Sequence, residues 1–325
     1  MTMLFGHDAQ TATLLAAARS SRMHHGWIFA GPRGIGKATF ARMLALRLLA
    51  EGADPSLAKG QVLDVAEDHM AARLIAAAAH PDYAELMPLE KDGVTARNIS
   101  VDQVRGLQRL SHSAPSLSPR RLVVVDSADD LERGAANALL KTLEEPPADM
   151  IFLLVSHAPG RLLPTIRSRC RMLWFDALAD GPMRSALQTT GEDLTLQEID
   201  ALLLVGEGAP GRALRYAGLE LAEIEATLDL LAREGDPTNK HRLKLARTLS
   251  IKSAKPRYEA FLERAPAFIA RAARRRVGAA LGHALDQWEA ARTLASGALA
   301  LSLDPASVVF ELASHVVALA PDARA

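Results

Sequence analysis

The segment GWIFAGPRGIGKA, residues 26–38, is an apolar run that leads directly into a glycine-rich loop. Residues 31–38 match the phosphate-binding pattern G-x-x-x-x-G-K-[ST] at every position except the last, where Ala38 replaces the hydroxyl residue. The apolar run is typical of a buried strand, and helical periodicity follows over residues 36–50. A strand before the loop and a helix after it are the context that a phosphate loop requires. The segment therefore predicts a P-loop fold.

The loop offers most of a nucleotide site. Its glycines allow backbone N–H groups to turn toward a phosphate, and its lysine adds a positive charge. The candidate nucleotide-binding residues on the loop and the helix after it are Gly31, Gly34, Gly36, Lys37 and Thr39. A hydroxyl directly after the lysine normally binds Mg²⁺, and Ala38 has none. Thr39 lies one residue further, a rotation of about 100° around the helix, so the metal site is incomplete.

A second segment, RLVVVDSADD over residues 121–130, repeats this partial pattern. Asp126 ends a predicted strand, where an acid associated with the metal belongs, and we count it in the same degenerate site. Ser127 follows where an ATPase of this type carries a glutamate that activates water. Asp129 and Asp130 lie further along the turn. The two losses predict that the chain does not hydrolyse ATP and binds it weakly or not at all.

Short apolar runs alternate with helical periodicity in the first half of the chain. The runs, typical of strands buried on both faces of a parallel sheet, are residues 26–31, 121–126, 150–156 and 171–175. Candidate helices are residues 36–50, 64–79, 100–112 and 133–145. After residue 176 only Ala- and Leu-rich helices punctuated by Gly and Pro are predicted. We predict an α/β domain over residues 1–176, a small helical domain over 177–217 and a helical domain over 218–325.

Composition restricts the function. Lys and Arg number 38, as do Asp and Glu, so no overall field attracts the chain to nucleic acid or to anionic lipid. Cys170 is the single cysteine, which excludes an internal disulfide and a cysteine-based zinc site. No apolar run reaches the roughly 18 residues that span a bilayer, and the first residues lack an export signal. We therefore expect a soluble, cytoplasmic protein without a membrane partner.

Several motifs occur in a characteristic order. They are HHGWIFAGPRGIGKATFA (24–41), HPDY (80–83), ANALLKTLEEPP (136–147), RLLPTIRSRC (161–170) and GAPGRAL (208–214). In these motifs the sequence resembles the delta prime subunits of bacterial DNA polymerase III clamp loaders, members of the AAA+ superfamily. The resemblance covers the first 217 residues, and the pairing of LEEPP with SRC is its most specific part. Beyond residue 217 only the helical character agrees.

The resemblance implies an AAA+ nucleotide-binding-like domain, a helical lid and a helical collar for oligomerisation. It implies a non-hydrolysing subunit in a hetero-pentamer with gamma/tau motor subunits and delta, which loads the sliding clamp onto primed DNA. As part of the DNA polymerase III holoenzyme, such a subunit would belong to a DNA-directed DNA polymerase. In this family the arginine of Ser-Arg-Cys reaches a neighbouring ATP site. By position, Arg169 is the candidate arginine finger. Arg167 is the competing candidate, because it would lie on the same strand face two residues away if this segment is extended.

The sequence departs from the family in two places. Many members carry a four-cysteine zinc module before HPDY, but residues 52–79 contain no cysteine, so no zinc is expected. Motor subunits carry a lid arginine that senses the γ-phosphate. Gly211 occupies that position here, and Arg212 follows it. We expect no required cofactor.

Two other functions fit part of the sequence. An active gamma/tau-like motor ATPase would use Lys37 and Asp126, but it leaves Ala38 and Ser127 unexplained. A P-loop kinase for a small molecule would use the loop, but it has no need for the LEEPP and SRC motifs or for the long helical region. A turnover assay on the isolated chain separates these functions from a non-catalytic subunit.

The remaining candidate sites are weaker. His24, His25 and His80 lack partners at metal-ligand spacing and are predicted to be structural. The pairs 111–112 and 156–157 place serine before histidine, but adjacent side chains point apart and no G-x-S-x-G motif is present, so no hydrolase is expected.

The C-terminal helices contain basic and apolar faces. Basic residues in 240–257 and 271–276 are interpreted first as a solvated helix face, then as a partner contact and last as a DNA contact. Apolar side chains on two helical segments are predicted to contribute to an oligomer contact, with packing inside the block as the alternative. They are Leu228, Leu231, Ala232, Val308, Val309, Leu312 and Val316.

Overall fold

A computed structural model of the chain describes residues 4–20, 23–91, 94–96, 98–107, 110, 115–189 and 194–321. Contacts divide the chain into two units. Unit 1 comprises Met1–Thr190 with Glu207–Arg212, and unit 2 comprises Gly191–Gly206 with Ala213–Ala325. This division into two units does not test the predicted three domains, whose boundaries follow residues 176 and 217, so the three-domain division stays a prediction.

Unit 1 contains a five-stranded sheet whose neighbouring strands all run parallel. The strands are β1 (Gly26–Ala30), β2 (Tyr83–Leu86), β5 (Arg121–Val125), β6 (Met150–Ser156) and β7 (Arg171–Trp174). Their order is β2-β5-β6-β1-β7, and an antiparallel pair joins β3 (Glu90–Lys91) to β4 (Val94–Thr95). Every residue of β1, β5 and β6 is buried. The predicted parallel α/β fold is confirmed, and the four predicted strands end within one residue of their expected bounds.

Helices cover both faces of this sheet. The helices of unit 1 are α1 (Asp8–Arg19), α2 (Lys37–Ala53), α3 (Met70–Ala76), α4 (Val101–Gly106), α5 (Arg133–Glu144), α6 (Pro164–Arg167) and α7 (Asp180–Thr189). On one face, Leu14 and Phe40 pack against the side chains that the central strands direct toward that face. On the other face, Val104 and Leu139 do so. Two apolar layers therefore fix the sheet from both sides.

The sequence predicted some elements of unit 1 incompletely. Helix α1 and strand β2 were not predicted, because α1 is rich in Ala and Thr and β2 is a half-buried edge strand without a continuous apolar run. Helix α3 is shorter than the predicted 64–79. Helix α4 begins as predicted, but residues 108–109 and 111–112 of the predicted helix lie outside the described residues.

Unit 2 is helical throughout its described residues, as predicted. Its helices are α8 (Leu196–Gly206), α10 (Leu221–Glu234), α11 (Lys240–Leu249), α12 (Lys255–Ala273), α13 (Gly278–Ala298) and α14 (Pro305–Val317). A short helix, α9 (Pro210–Leu214), crosses the division between the units. No helix within the described residues combines the length and the apolar character needed to cross a membrane.

The apolar faces that the sequence suggested for an oligomer contact are used inside unit 2. The side chains of Leu228 and Leu231 on α10 and of Val309 and Leu312 on α14 are fully buried, and α10 packs against α14. The prediction that these faces meet a partner is wrong, because the helices bury them against one another. The alternative, packing inside the helical block, describes the structure.

The HPDY motif organises the entry to β2. Asp82 is 1% exposed, and its carboxylate accepts hydrogen bonds from the backbone N–H groups of Ser116 (2.8 Å), Leu117 (2.7 Å) and Ser118 (3.0 Å). The Asp82 N–H donates to His80 Nδ1 at 3.1 Å. His80 therefore has a structural role, as predicted, and Asp82 holds the loop that leads into β5.

We expect Asp82→Ala to lower the free energy of unfolding by about 3 kcal/mol, because one buried and two partly buried hydrogen bonds from backbone N–H groups lose a charged acceptor. Urea titration followed by circular dichroism measures the change. Asp102→Ala is the matched control, since the Asp102 side chain is 86% exposed. Equal effects of the two substitutions would contradict this role for Asp82.

Candidate functional site

The phosphate-loop residues lie together at the carboxyl edge of the sheet. Residues 31–36 connect β1 to α2, and Asp126 follows β5 on a neighbouring part of that edge. Gly31 has φ +153°, and a Cβ atom there would lie 2.1 Å from the Phe175 carbonyl oxygen. Only glycine fits this close approach. The fold therefore assembles a phosphate loop where parallel α/β proteins bind their ligands.

Lys37 is folded back onto the loop that carries it. Its side chain is buried, and Nζ donates hydrogen bonds to the carbonyl oxygens of Gly31 (2.7 Å) and Pro32 (2.6 Å). Burial lowers the pKa of Lys37 to about 8, although the charges of Asp129 and Asp126 act in the opposite direction. A phosphate would have to compete with two backbone acceptors for this amine.

Neighbouring segments of unit 1 cover the outside of the loop. His7 Nε2 donates to the Ile35 carbonyl oxygen at 2.8 Å, and burial lowers the pKa of His7. The Gly211 N–H donates to the Gly34 carbonyl oxygen at 2.8 Å. Gly34 has φ +84°, and a Cβ there would lie 2.7 Å from the backbone nitrogen of Arg212. The loop is thus packed between the N-terminal segment and the start of α9.

Among the described residues, the Arg212 side chain forms no hydrogen bond or ion pair with the phosphate loop. Its guanidinium forms an ion pair with Glu207 at 2.8 Å. Gly211, at the expected sensing position, offers only a backbone N–H, which Gly34 uses. The role of this pair in nucleotide sensing stays a prediction.

A guanidinium neutralises the acid at the end of β5. Arg42 on α2 donates from Nη2 to Asp126 Oδ2 at 2.7 Å and from Nε to Glu85 Oε1 at 2.7 Å. Tyr83 donates to the other Glu85 oxygen at 3.0 Å. Burial alone would lower the pKa of Arg42, but Glu85 and Asp126 raise it overall. Asp126 is therefore already paired with a permanent cation of the chain.

Sequence reasoning missed Arg42. Its two acidic partners lie 43 and 84 residues away, so no local spacing indicates the contact. The only local signal is a basic residue on the helix that follows the loop, which is common on solvated helices.

The acidic side chains that follow Asp126 also have hydrogen-bond partners. Ser127 is buried and donates to Asp130 Oδ2 at 2.8 Å. Asp129 accepts from the His157 N–H (2.6 Å), the Ser156 hydroxyl (3.0 Å) and the Ala158 N–H. Both carboxylates thus hold local turns. No contact among the described residues places either of them in the role of the missing glutamate. Ser156 bonds to Asp129, so the 156–157 pair is not arranged as nucleophile and base.

Ala38 and Thr39, the two residues that follow Lys37 on α2, are both half-buried. Ala38 packs against the apolar layer between α1, α2 and the sheet. Thr39 is half-buried, and within the described part of the chain its side chain makes no hydrogen bond. Thr39 as a nucleotide-binding residue stays a prediction.

Arg169 lies at the opposite edge of the sheet. It sits between α6 and β7, and Arg171 at the start of β7 pairs with Trp27 near the start of β1. Arg169 Nη2 contacts Glu144 Oε1 at 2.8 Å, and Nη1 donates to the Thr165 carbonyl oxygen at 3.1 Å. Its side chain is 36% exposed. The ion pair joins the LEEPP helix to the SRC turn, so the two motifs meet in space.

Arg167 is placed differently from the expectation. It ends the helical turn α6 and does not share a strand face with Arg169, because Pro164 starts a helix rather than an extended segment. Both Arg167 and Arg171 are exposed. Cys170 packs against Gly26, and burial raises the pKa of its thiol to about 12.

The remaining histidines have structural contacts. The Gly26 N–H donates to His24 Nδ1 at 3.2 Å, and the rings of His24 and His25 stack. Among the described residues no group of three or more His, Cys, Asp or Glu side chains is arranged to hold a metal ion. Ser111 and His112 lie outside the described residues.

We expect the stability of the chain to rise with pH because of Lys37. The folded pKa near 8 lies below the unfolded value of 10.5, so the unfolded chain binds more protons between these values. Relative to Lys37→Met, the wild-type free energy of unfolding should increase by about 1–2 kcal/mol from pH 7 to pH 9.5. Denaturant titrations at both pH values test this. A difference that is constant with pH would contradict the buried, charged amine.

Proteins with similar sequences are named as subunits of DNA polymerase III. The sequence profile of the family described as "DNA polymerase III, delta subunit" matches residues 6–179. DNA polymerase III subunit delta' of Pseudomonas aeruginosa is 36% identical over 202 residues, which cover 62% of this chain and 58% of that protein. The Escherichia coli subunit delta' is 35% identical over 204 residues, covering 62% and 57%. The chain thus spans less than three fifths of the length of these relatives.

Proteins named as gamma-type subunits of DNA polymerase III match as well. DNA polymerase III subunit gamma/tau of Mycobacterium tuberculosis is 33% identical over 212 residues, covering 63% of this chain and 34% of that protein. A solved DNA polymerase III gamma subunit-related protein of Thermotoga maritima aligns over 94% of this chain and 98% of its own, with 19% identity and a TM-score of 0.46. Because the delta subunit profile matches more than half of the residues, the chain belongs to the DNA polymerase III, delta subunit family.

Proposed function

We propose that the chain is a non-hydrolysing subunit of a bacterial DNA polymerase III clamp loader that lends Arg169 to a neighbouring ATPase subunit. The observation that carries this proposal is that both charged residues of the candidate nucleotide site, Lys37 and Asp126, are already bonded to other groups of the chain. Lys37 binds loop carbonyls, and Asp126 binds Arg42. A subunit with a closed site can still be required for turnover in its neighbours.

Nucleotide binding with Mg²⁺ would require several rearrangements. The Lys37 amine must leave two hydrogen bonds, and the Asp126 carboxylate must exchange a guanidinium for a metal ion. Ala38 and Ser127 provide neither the metal hydroxyl nor the water-activating acid. We therefore propose weak or absent ATP binding, no hydrolysis, and no need for a cofactor or zinc.

The position of Arg169 favours action on a different chain. Arg169 precedes β7 at the amino edge of the sheet, whereas the phosphate loop begins at the carboxyl end of β1. The five residues of β1 separate the two edges by about 16 Å. Arg169 is also half-exposed, and its partner Glu144 is on the surface, so the guanidinium is available for exchange. An arginine in this position suits a site on a neighbouring subunit.

The partners that we propose follow from the family. Relatives that match the chain are named as delta' and gamma/tau subunits of DNA polymerase III. We propose a hetero-pentamer with gamma/tau and delta subunits in the cytoplasm, acting on the sliding clamp and primed DNA. The helical region from residue 218 would form the collar of that assembly, with surfaces other than the buried faces of α10 and α14.

An active gamma/tau-like motor ATPase is the alternative function. Retention of Lys37 and Asp126, and the similarity to gamma/tau proteins, favour it. The pairing of Asp126 with Arg42 opposes it.

We expect background ATPase activity for the isolated chain, unchanged in Lys37→Ala. Restoring the site should require removal of Arg42. Ala38→Thr with Ser127→Glu should improve nucleotide binding more than turnover, and only the addition of Arg42→Ala should make binding about tenfold tighter in Mg²⁺ than in EDTA. Fluorescent nucleotide titrations measure binding in Mg²⁺ and in EDTA, and a hydrolysis assay measures turnover. Steady hydrolysis that is lost in Lys37→Ala would refute the proposal, and Mg²⁺-dependent binding with Arg42 intact would refute its structural basis.

We expect Arg169→Ala to leave folding and assembly intact and to reduce hydrolysis at the neighbouring site. A guanidinium supplied in trans contributes about 10³–10⁵ in rate in other phosphoryl-transfer systems, since it stabilises charge on the transferred group. Single-turnover hydrolysis in the reconstituted complex measures the effect. Arg169→Lys should restore little, because lysine lacks the planar fork.

Arg167→Ala is the matched control for Arg169→Ala, and its effect should be smaller. If Arg169→Ala hydrolyses ATP like wild type at every site of an intact complex, the arginine-finger assignment fails.

A further inference from the structure

A groove opens on the surface of unit 2. It lies between the end of α11, the 3-10 turn Lys252–Ala254, the start of α12 and the connection from α13 to α14. Its volume is about 330 Å³. The apolar residues that line it are Leu249, Ile251, Ala298, Leu299, Leu303 and Pro305.

The rim of this groove exposes large apolar side chains. Ile251 is 56% exposed, Leu299 54% and Leu301, next to the groove, 71%. The apolar faces of α10 and α14, by comparison, are buried. Clustered apolar side chains that stay in water are a feature of binding surfaces.

Polar groups at the groove indicate the chemistry of an occupant. Lys252 and Lys255 are exposed on one wall, and Lys255 has only a long contact with Glu259, at 3.8 Å. Tyr258 also lines the groove. Its side chain is 95% buried, and its hydroxyl has no hydrogen-bond partner within the described residues. Burial, together with the negative charge of Asp304, raises the pKa of Tyr258, so the hydroxyl remains a donor.

We propose that this groove binds a short segment of a protein partner that carries two or three large apolar side chains beside a carboxylate. The apolar side chains of the segment would pack on Ile251, Leu299 and Leu303. Its carboxylate would lie near Lys252 and Lys255, and a backbone or carboxylate oxygen would accept from Tyr258. The inference goes beyond the proposed clamp-loader function and does not rest on it.

The size of the groove favours a short segment over a subunit face. Stable interfaces between folded subunits bury about 1,200–2,000 Å², whereas a cavity of this volume holds only a few side chains. The basic wall favours an acidic occupant over a basic one. A helix or strand of a partner with apolar anchors at regular spacing binds grooves of this kind.

Selection of peptides against the purified full-length chain tests the proposal. The probe is a phage-displayed library of random twelve-residue peptides. Enriched peptides should share two or three Leu, Ile, Phe or Met residues next to Asp or Glu. Their synthetic, fluorescein-labelled forms are then titrated by fluorescence anisotropy.

Substitutions locate the binding. The double variant Ile251→Ser with Leu299→Ser should weaken binding at least about tenfold, because exposed anchors are lost. Lys252→Glu with Lys255→Glu should weaken it about threefold to fivefold, more at low salt than at high salt. Tyr258→Phe should weaken it by a similar factor through the lost hydrogen bond. Leu285→Ser is the matched control, since Leu285 is 47% exposed on α13 and does not line the groove.

Thermal denaturation checks that each variant remains folded. The proposal is overturned if no peptide family is enriched, if the enriched peptides are basic, or if the groove variants bind them as the wild type and Leu285→Ser do. It is also overturned in favour of a second copy if sedimentation shows a wild-type dimer that the Ile251 and Leu299 substitutions dissociate. Binding of labelled single-stranded DNA that depends on the lysines and not on Ile251 and Leu299 would assign the groove to nucleic acid instead.

Discussion

Parallel pairing of β1 between β6 and β7 decides where every functional group of unit 1 lies. Parallel strands bring all their carboxyl ends to one edge and all their amino ends to the other. The loop after β1, Asp126 after β5 and the Asp129-bound turn after β6 therefore gather at one edge. The turn before β7, which carries Arg169, is fixed at the opposite edge. One topology thus separates the phosphate loop from a surface arginine within the same unit.

The carboxyl edge keeps the form of a nucleotide site but satisfies its charges internally. Buried charges are costly unless they are paired. Here Arg42 supplies the cation for Asp126 and Glu85, and loop carbonyls solvate Lys37. Without Arg42, the carboxylates of Asp126 and Glu85 would lack their cation, and without the loop carbonyls the Lys37 amine would lack hydrogen-bond acceptors. The glycines and the lysine of the loop are therefore compatible with a structural role.

Local pattern was sufficient to predict the central strands, the loop between β1 and α2 and the helical second half. Each is specified by residues that are close in sequence, such as the GWIFAG run and the glycines after it. The contact of Arg42 with Asp126 was not predictable, since only the folded sheet brings the residues together. The helical turn at Pro164–Arg167 was also missed, because alternating arginines fit an extended segment equally well. Burial of α10 against α14 could not be distinguished from an exposed interface, because both require the same apolar periodicity.

The contact of Cys170 with Gly26 has a practical consequence for chemical modification of this protein. Thiolate is the form that reacts with maleimides and oxidants, and a thiol with a pKa of about 12 contains almost none at neutral pH. The chain has no other cysteine. A cysteine introduced at an exposed position would thus be the dominant reactive thiol, so a fluorophore or spin label can be attached there while the native sulfur stays in place.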